Sequence, residues 1–263
     1  MDFLFYFLIC IVATTLGAIA GIGGGVIIKP VLDALGTLSV ASIGFLSGCT
    51  VLAMSVVSLF RSRGGDVKVD SQKGTMLAVG GAVGGVVGKY LFDMVKSGFG
   101  SDGLVGTIQS VLMIVLTLGV LLYVLKKNHI RTYQIENPVV CCSIGLILGI
   151  LSSFLGIGGG PINLAVLYFC FSMDTKTAAL NSIYIILFSQ IASLISTIAL
   201  GNIPSFSPSV LISMVLGGVL GGFVGRAFSK RMSNSQVDIL FRWMLVLITG
   251  ISCYNLYHYA RII

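Results

Sequence analysis

Charge is scarce in this chain: Asp, Glu, Lys and Arg make up only 10% of its 263 residues, and the acids are the rarer sign, nine against sixteen Lys and Arg. So little polar surface excludes a soluble globule. Histidine occurs only at His129 and His258, and the apolar runs hold no cluster of carboxylates or cysteines, which argues against a membrane enzyme doing acid–base, metal or redox chemistry. The six cysteines (Cys10, Cys49, Cys141, Cys142, Cys170, Cys253) include no C-x-x-C pair and fall mostly inside apolar runs. They read as small buried residues, not as zinc ligands or a disulfide framework. The glycine-rich stretches lack the G-K-[ST] ending of a nucleotide loop and follow no strand. No cofactor, metal or nucleic-acid partner is expected.

What is abundant is apolar sequence, 56% of the chain with a mean hydropathy of +1.04. Several runs reach the roughly 20 residues that cross a bilayer, which predicts an all-α polytopic membrane protein with lipid as its surroundings. The run 3–20 has Asp2 ahead of it and no Lys or Arg, so it reads as a first membrane helix, not a signal peptide.

The sequence repeats itself. GIGGG occurs at 21–25 and again at 156–160, and GGAVGGVVG (80–88) is matched by GGVLGGFVG (217–225), each followed by a basic residue, Lys89 or Arg226. This divides the chain into a first repeat, 1–125, a linker, 126–137, and a second repeat, 138–263. Each repeat has an apolar run (3–20; 138–155), the glycine break, a run of about a dozen residues (26–36; 161–172), and three full-length runs (40–60, 74–95, 104–125; 177–200, 209–228, 237–259). The loop 61–73 holds Arg61, Arg63, Lys68 and Lys73, whereas its counterpart 201–208 holds no base. Lys230 and Arg231 reverse that bias in the next pair of loops. Equivalent loops therefore face opposite sides, with the linker cytoplasmic and both termini outside. That requires each glycine break to be the bend of a hairpin that enters and leaves on one side. The GGxxGGxxG stretches read as flat stripes for close helix packing.

Inverted repeats with glycine-interrupted helices point to a transporter with a midplane site. Backbone released from helical hydrogen bonding is tolerated at that depth only where protein or a water-filled cavity satisfies it. The first turn after each break offers unpaired N–H groups and the positive end of a helix dipole, suited to an anion. Pro161 occupies a first helical position, where its missing N–H costs nothing. The expected binding residues are Gly23, Gly24, Gly25, Gly158, Gly159 and Gly160 of the breaks, with Lys29, Thr50, Asn163, Asn181, Ser182 and Gln190. The acids near the runs, Asp2, Asp33 and Asp93, are expected at membrane interfaces, and Asp33 stands four residues from Lys29, the spacing of a helical ion pair.

The twin G-x-GGG breaks, the polar helix after each, the basic loop RSRGGDVKVD and the glycine-striped helix that follows together resemble the sulfite exporter TauE/SafE family of bacterial and plant membrane proteins. The resemblance spans essentially the whole chain. It implies permeation of a small sulfur oxyanion or organosulfonate, such as sulfite, thiosulfate or sulfoacetate, across a bacterial plasma membrane, with binding residues at the two breaks and near Thr50 and Asn181. One feature departs from the family pattern: the proline beyond GGG stands at Pro30 in the first repeat but directly at Pro161 in the second. An anion channel using the same helix ends is the alternative function.

Overall fold

The computed structural model describes residues 2–63, 67–99 and 101–261; positions 64–66 of the basic loop and the Asp2 side chain lie outside what is described. Among the described residues there are ten α-helices: α1 (Asp2–Ala20), α2 (Gly25–Leu35), α3 (Val40–Ser62), α4 (Ser71–Phe99), α5 (Asp102–Lys126), α6 (Pro138–Leu155), α7 (Pro161–Phe171), α8 (Thr175–Ala199), α9 (Pro208–Arg231) and α10 (Asn234–Ala260). Eight are long and apolar enough to cross a membrane; α2 and α7 are the short ones. The protein is an all-α polytopic membrane protein.

Helix starts are written locally. Ser39 Oγ accepts from Ser42 N, Ser101 Oγ from Leu104 N and Asn137 Oδ1 from Val139 N, while Ser233 and Gln236 form a capping box. Inside the bundle, hydroxyls of Thr50, Ser110, Thr117 and Thr197 donate to the carbonyl four residues back, which hides their polarity from lipid. The outward faces stay apolar: Leu4, Val115, Leu122 and Ile195 are 60–61% exposed.

Glycine rows set the packing. Gly80, Gly84 and Gly88 of α4 lie against the backbone of Cys142, Leu146 and Ile150 in α6, and a Cβ on any of the three would collide with a carbonyl oxygen. A second row on α4, Gly81 and Gly85, lies against Ile185 and Ser189 of α8. In the other half, Gly217, Gly221 and Gly225 of α9 meet α1 near Cys10, Thr14 and Ala18, and Gly218 and Gly222 meet Thr50 and Met54 of α3. The partner advances with the glycine in every case, so α4 runs parallel to α6 and α8, and α9 parallel to α1 and α3. Thr14 Oγ1 also donates to Gly217 O across the second contact, at 3.1 Å.

Each short helix returns to the level at which the helix before it began. Tyr6 Oη, near the start of α1, is 3.0 Å from Thr37 Oγ1, just past the end of α2. Ahead of α6, Tyr133 N and Ile135 N donate to Phe169 O and Cys170 O at the end of α7. Both hairpins thus begin and end at one level, and their bends carry the glycines.

Candidate functional site

At the first bend Gly21 and Gly23 have φ of +77°, and Gly21 N and Ile22 N both donate to Gly17 O. At the second, Gly156, Gly158 and Gly159 have φ of +65°, +67° and +134°. Side-chain-bearing residues resist these values, so the glycines permit the turn itself. The N–H groups of Gly23 to Val26, and those of Gly158 to Gly160 and Ile162, make no hydrogen bond to another described residue. These are the orphan donors of two helix starts.

The bends touch. A Cβ on Gly23 would lie 3.4 Å from Gly158 O, one on Gly159 would lie 3.4 Å from Ile22 O, and one on Gly25 would overlap Ile157 O. Val51 of α3 packs on Gly158 and Ile186 of α8 on Gly159, and with Ala18 and Met54 they form a separate, fully buried apolar cluster. It seals the middle of the protein.

On one side of this seal lies a pocket of about 440 Å³, counted with the open space at its mouth, between α2, α3, α4, α5, α6 and α8. Its polar lining is Lys29, Lys89, Gln109, Ser153, Gln190, Ser193 and Thr197, and Gly156 of the second break forms part of its wall. A wider vestibule opens beyond it, sharing Ala41 and Lys89 and adding Asp93, Lys96, Asp102 and Asn202. Each lysine of the pocket is held by an acid one turn away: Lys29 Nζ is 2.6 Å from Asp33 Oδ2, and Lys89 Nζ is 2.6 Å from Asp93 Oδ1. Asp33 is buried, 5% exposed, and also accepts from Tyr259 Oη at 3.2 Å, because α10 covers α2 on that side. Asn255 Nδ2 of the same helix donates to Pro30 O at 2.8 Å. Several polar atoms have no protein partner, among them Ser153 Oγ and Gln109 Oε1. The pocket thus offers two ammonium groups, amides and hydroxyls in a confined space, a set suited to oxyanion oxygens.

The expected residues fall into groups. Gly23, Gly24, Gly25, Gly158, Gly159 and Gly160 form the paired bends, while Lys29 and Gln190 line the pocket. Asn163 lies apart, in a small, mostly apolar cavity with Gly159, Gly160, Thr117 and Ser152, its Oδ1 unpartnered. Ser182 is buried with an unpartnered Oγ. Thr50 bonds its own helix at Leu46 O and turns its carbonyl to Gly218. Asn181 donates to Thr177 O and accepts from Asp70 N, which anchors the chain entering α4. Sequence reasoning missed Gln109, Ser153, Ser193 and Thr197 and noted Lys89 only as the end of a glycine stripe. The spacing of Gln190, Ser193 and Thr197 was a signal, since i, i+3, i+7 puts all three on one face of α8.

Comparison with known proteins agrees with this architecture. A probable membrane transporter protein of Bacillus subtilis (strain 168), YunE, is 24% identical over 270 residues, covering 94% of this chain and 96% of its own length. No solved structure matches. The model of the sulfite exporter TauE/SafE family matches residues 6–252, which includes both glycine bends and both striped helices, and the chain belongs to that family of membrane transporters.

Proposed function

We propose that this protein is a secondary transporter that moves a small sulfur oxyanion or organosulfonate, of the sulfite, thiosulfate or sulfoacetate class, across a bacterial plasma membrane. The observation that carries the reading is the pocket together with the apolar cluster deeper in the bundle: the pocket holds two lysines and two glutamines, and one turn further along α8 from Gln190 stands Ile186, buried with Val51. A solute admitted there leaves on the far side only after the seal is remade, which is the behaviour of a carrier in one of two states. No observation favours the channel alternative.

In this reading Lys29, Lys89 and Gln190 hold the anion against Gly156, and the free amides of the two bends receive it as it moves inward. Asn163 and Ser182, each with a buried polar atom lacking a protein partner, serve the inner part of the route. Because Asp33 and Asp93 compete for the lysines, binding is weak enough to allow release.

The topology we assign is two repeats, 1–125 and 138–263, inserted with opposite orientation and joined by the linker 126–137. The parallel packing of α4 with α6, and of α9 with α1, supports it, because α3 and α4 are consecutive spans and reverse direction between them. The end of the bundle bearing Arg61, Arg63, Lys73, Lys126, Lys127 and Arg231 then faces the cytoplasm, and the vestibule and both termini face outward.

Counterflow in proteoliposomes tests this. Purified protein should exchange labelled thiosulfate saturably, with competition from sulfite or sulfoacetate stronger than from sulfate or taurine. Flux that never saturates and needs no exchange partner would instead identify a channel.

A further inference from the structure

The pocket has a hidden counterpart. Gly81 and Gly85 of α4 lie against Ile185 and Ser189 of α8, and one further turn in this register brings Lys89 to Ser193; both line the pocket. In the other half Gly218 and Gly222 of α9 lie against Thr50 and Met54 of α3, and one further turn brings Arg226 to Ser58. The polar face Gln190, Ser193, Thr197 on α8 likewise has its match in Ser55, Ser58, Ser62 on α3, at identical spacing. This second set lies beyond Val51 and Met54, across the apolar seal from the pocket.

Ser62 Oγ donates to Ser58 O within its own helix, but the other three side chains carry buried polar atoms without a partner. Arg226 is 4% exposed, its Nε has no partner, and none of the ion pairs among the described residues involves it. Ser55 and Ser58 are fully buried, and neither Oγ has a partner. A guanidinium taken from water without a carboxylate is among the most costly groups a fold can contain. Three side chains with unpartnered buried donor atoms, grouped where α9 packs on α3, call for a guest that supplies acceptors and negative charge.

We propose that Arg226, Ser55 and Ser58 form a second binding site for a small oxyanion, closed in this conformation and open when the protein faces the other side of the membrane. The inference rests on the reading of the chain as an anion carrier. The two sites are chemically unequal: the pocket has two cations, Lys29 and Lys89, whereas the position matching Lys29 is Leu164, so Arg226 acts alone. Its planar fork binds two oxygens of one anion, a geometry lysine does not supply.

Sided counterflow in oriented proteoliposomes, with thiosulfate as the probe, tests the site. Arg226→Gln should raise the half-saturating concentration on the linker side about ten-fold, the loss of roughly one charge-assisted hydrogen bond, and leave the vestibule side unchanged. Lys89→Gln should do the reverse. No change on the linker side, or an equal rise on both sides, overturns the proposal. A second measurement does not depend on transport: Ser58→Cys is labelled with an anionic sulfonate-bearing or a cationic methanethiosulfonate reagent and read by peptide mass spectrometry. The anionic reagent should react about ten-fold faster, and Arg226→Gln in the same background should abolish the preference. Equal rates with Arg226 present sink the site even if the protein carries some other solute, whereas absent thiosulfate flux with the preference intact faults only the carrier reading.

Discussion

The two bends share the pentapeptide GIGGG yet differ in shape. In the first, Gly24 has φ of −69° and is already helical, and α2 begins at Gly25; in the second, Gly159 has φ of +134°, Gly160 is extended, and α7 begins one residue later at Pro161. The cause is the residue that follows. Proline disfavours helical backbone in the residue before it, which keeps Gly160 extended, whereas Val26 lets Gly25 join the helix. Identical motifs therefore give unequal sites, and local backbone sterics, not the repeat, decide where each helix end and its free donors lie.

The largest expected effect follows from the matched pair Gly25 and Gly160. A Cβ on Gly25 would run into the Ile157 carbonyl and come within 2.7 Å of Ser47 Oγ, both at the junction of the bends. A Cβ on Gly160 would meet only Ile157 Cδ1, at 3.2 Å, the movable tip of a side chain. We predict that Gly25→Ala abolishes thiosulfate counterflow, by at least about 100-fold, a barrier of roughly 3 kcal/mol, while Gly160→Ala retains flux within about two-fold. Membrane insertion and elution as a single species are the controls. Equal damage from both substitutions would mean that the bends are alike in function despite their shapes.

Smaller effects come from the charge that distinguishes the first bend. Lys29 and Asp33 are buried together, and removing one partner of such a pair costs about 3–5 kcal/mol by stranding the other. Lys29→Leu alone should therefore unfold the protein at a clearly lower temperature, an effect that says nothing about binding. Lys29→Leu with Asp33→Leu removes both charges and should recover most of the melting temperature. If Lys29 holds the anion, the double variant still needs about ten-fold more thiosulfate for half-saturation. Wild-type affinity in the double variant would reduce Lys29 to a structural element and leave the two bends electrostatically equal.

How much of this was legible beforehand depended on the length scale of the cause. Lipid admits only helices or closed barrels, and continuous apolar runs of this length select the helix, so the runs match the elements closely; the run 26–36 became Gly25–Leu35. The bends were legible because glycine is the residue that takes those φ values most readily. The pocket was not, because it depends on how each helix is rotated. Thr50 and Asn181 carry the right chemistry, but Thr50 spends it on its own backbone and Asn181 on the loop before α4, which composition does not reveal. Lys89 enters the pocket only because glycine rows bring α4 against α6 and α8, and Gln109 of α5 is held there by its Nε2 donating to Phe154 O of α6, tertiary contacts with no local signature.

The smallest prediction converts one bend toward the other. In Pro161→Val, Gly160 is free to turn helical, so α7 can begin a residue earlier and draw its free amides away from Gly159. Proline at the first helical position also narrows the unfolded ensemble, and losing it should cost about 1 kcal/mol or less of stability. We expect a slightly lower melting temperature and a two- to five-fold rise in the half-saturating thiosulfate concentration, since the energy at stake is about that of a single neutral hydrogen bond. Val26→Pro tests the converse. It forces Gly25 toward the extended form in a place where Ile157 O and Ser47 leave little room, so its effect should exceed that of Pro161→Val. If the two exchanges proved equivalent, the crowding around Gly25 would not be what separates the bends, and the difference between them would reduce to the proline alone.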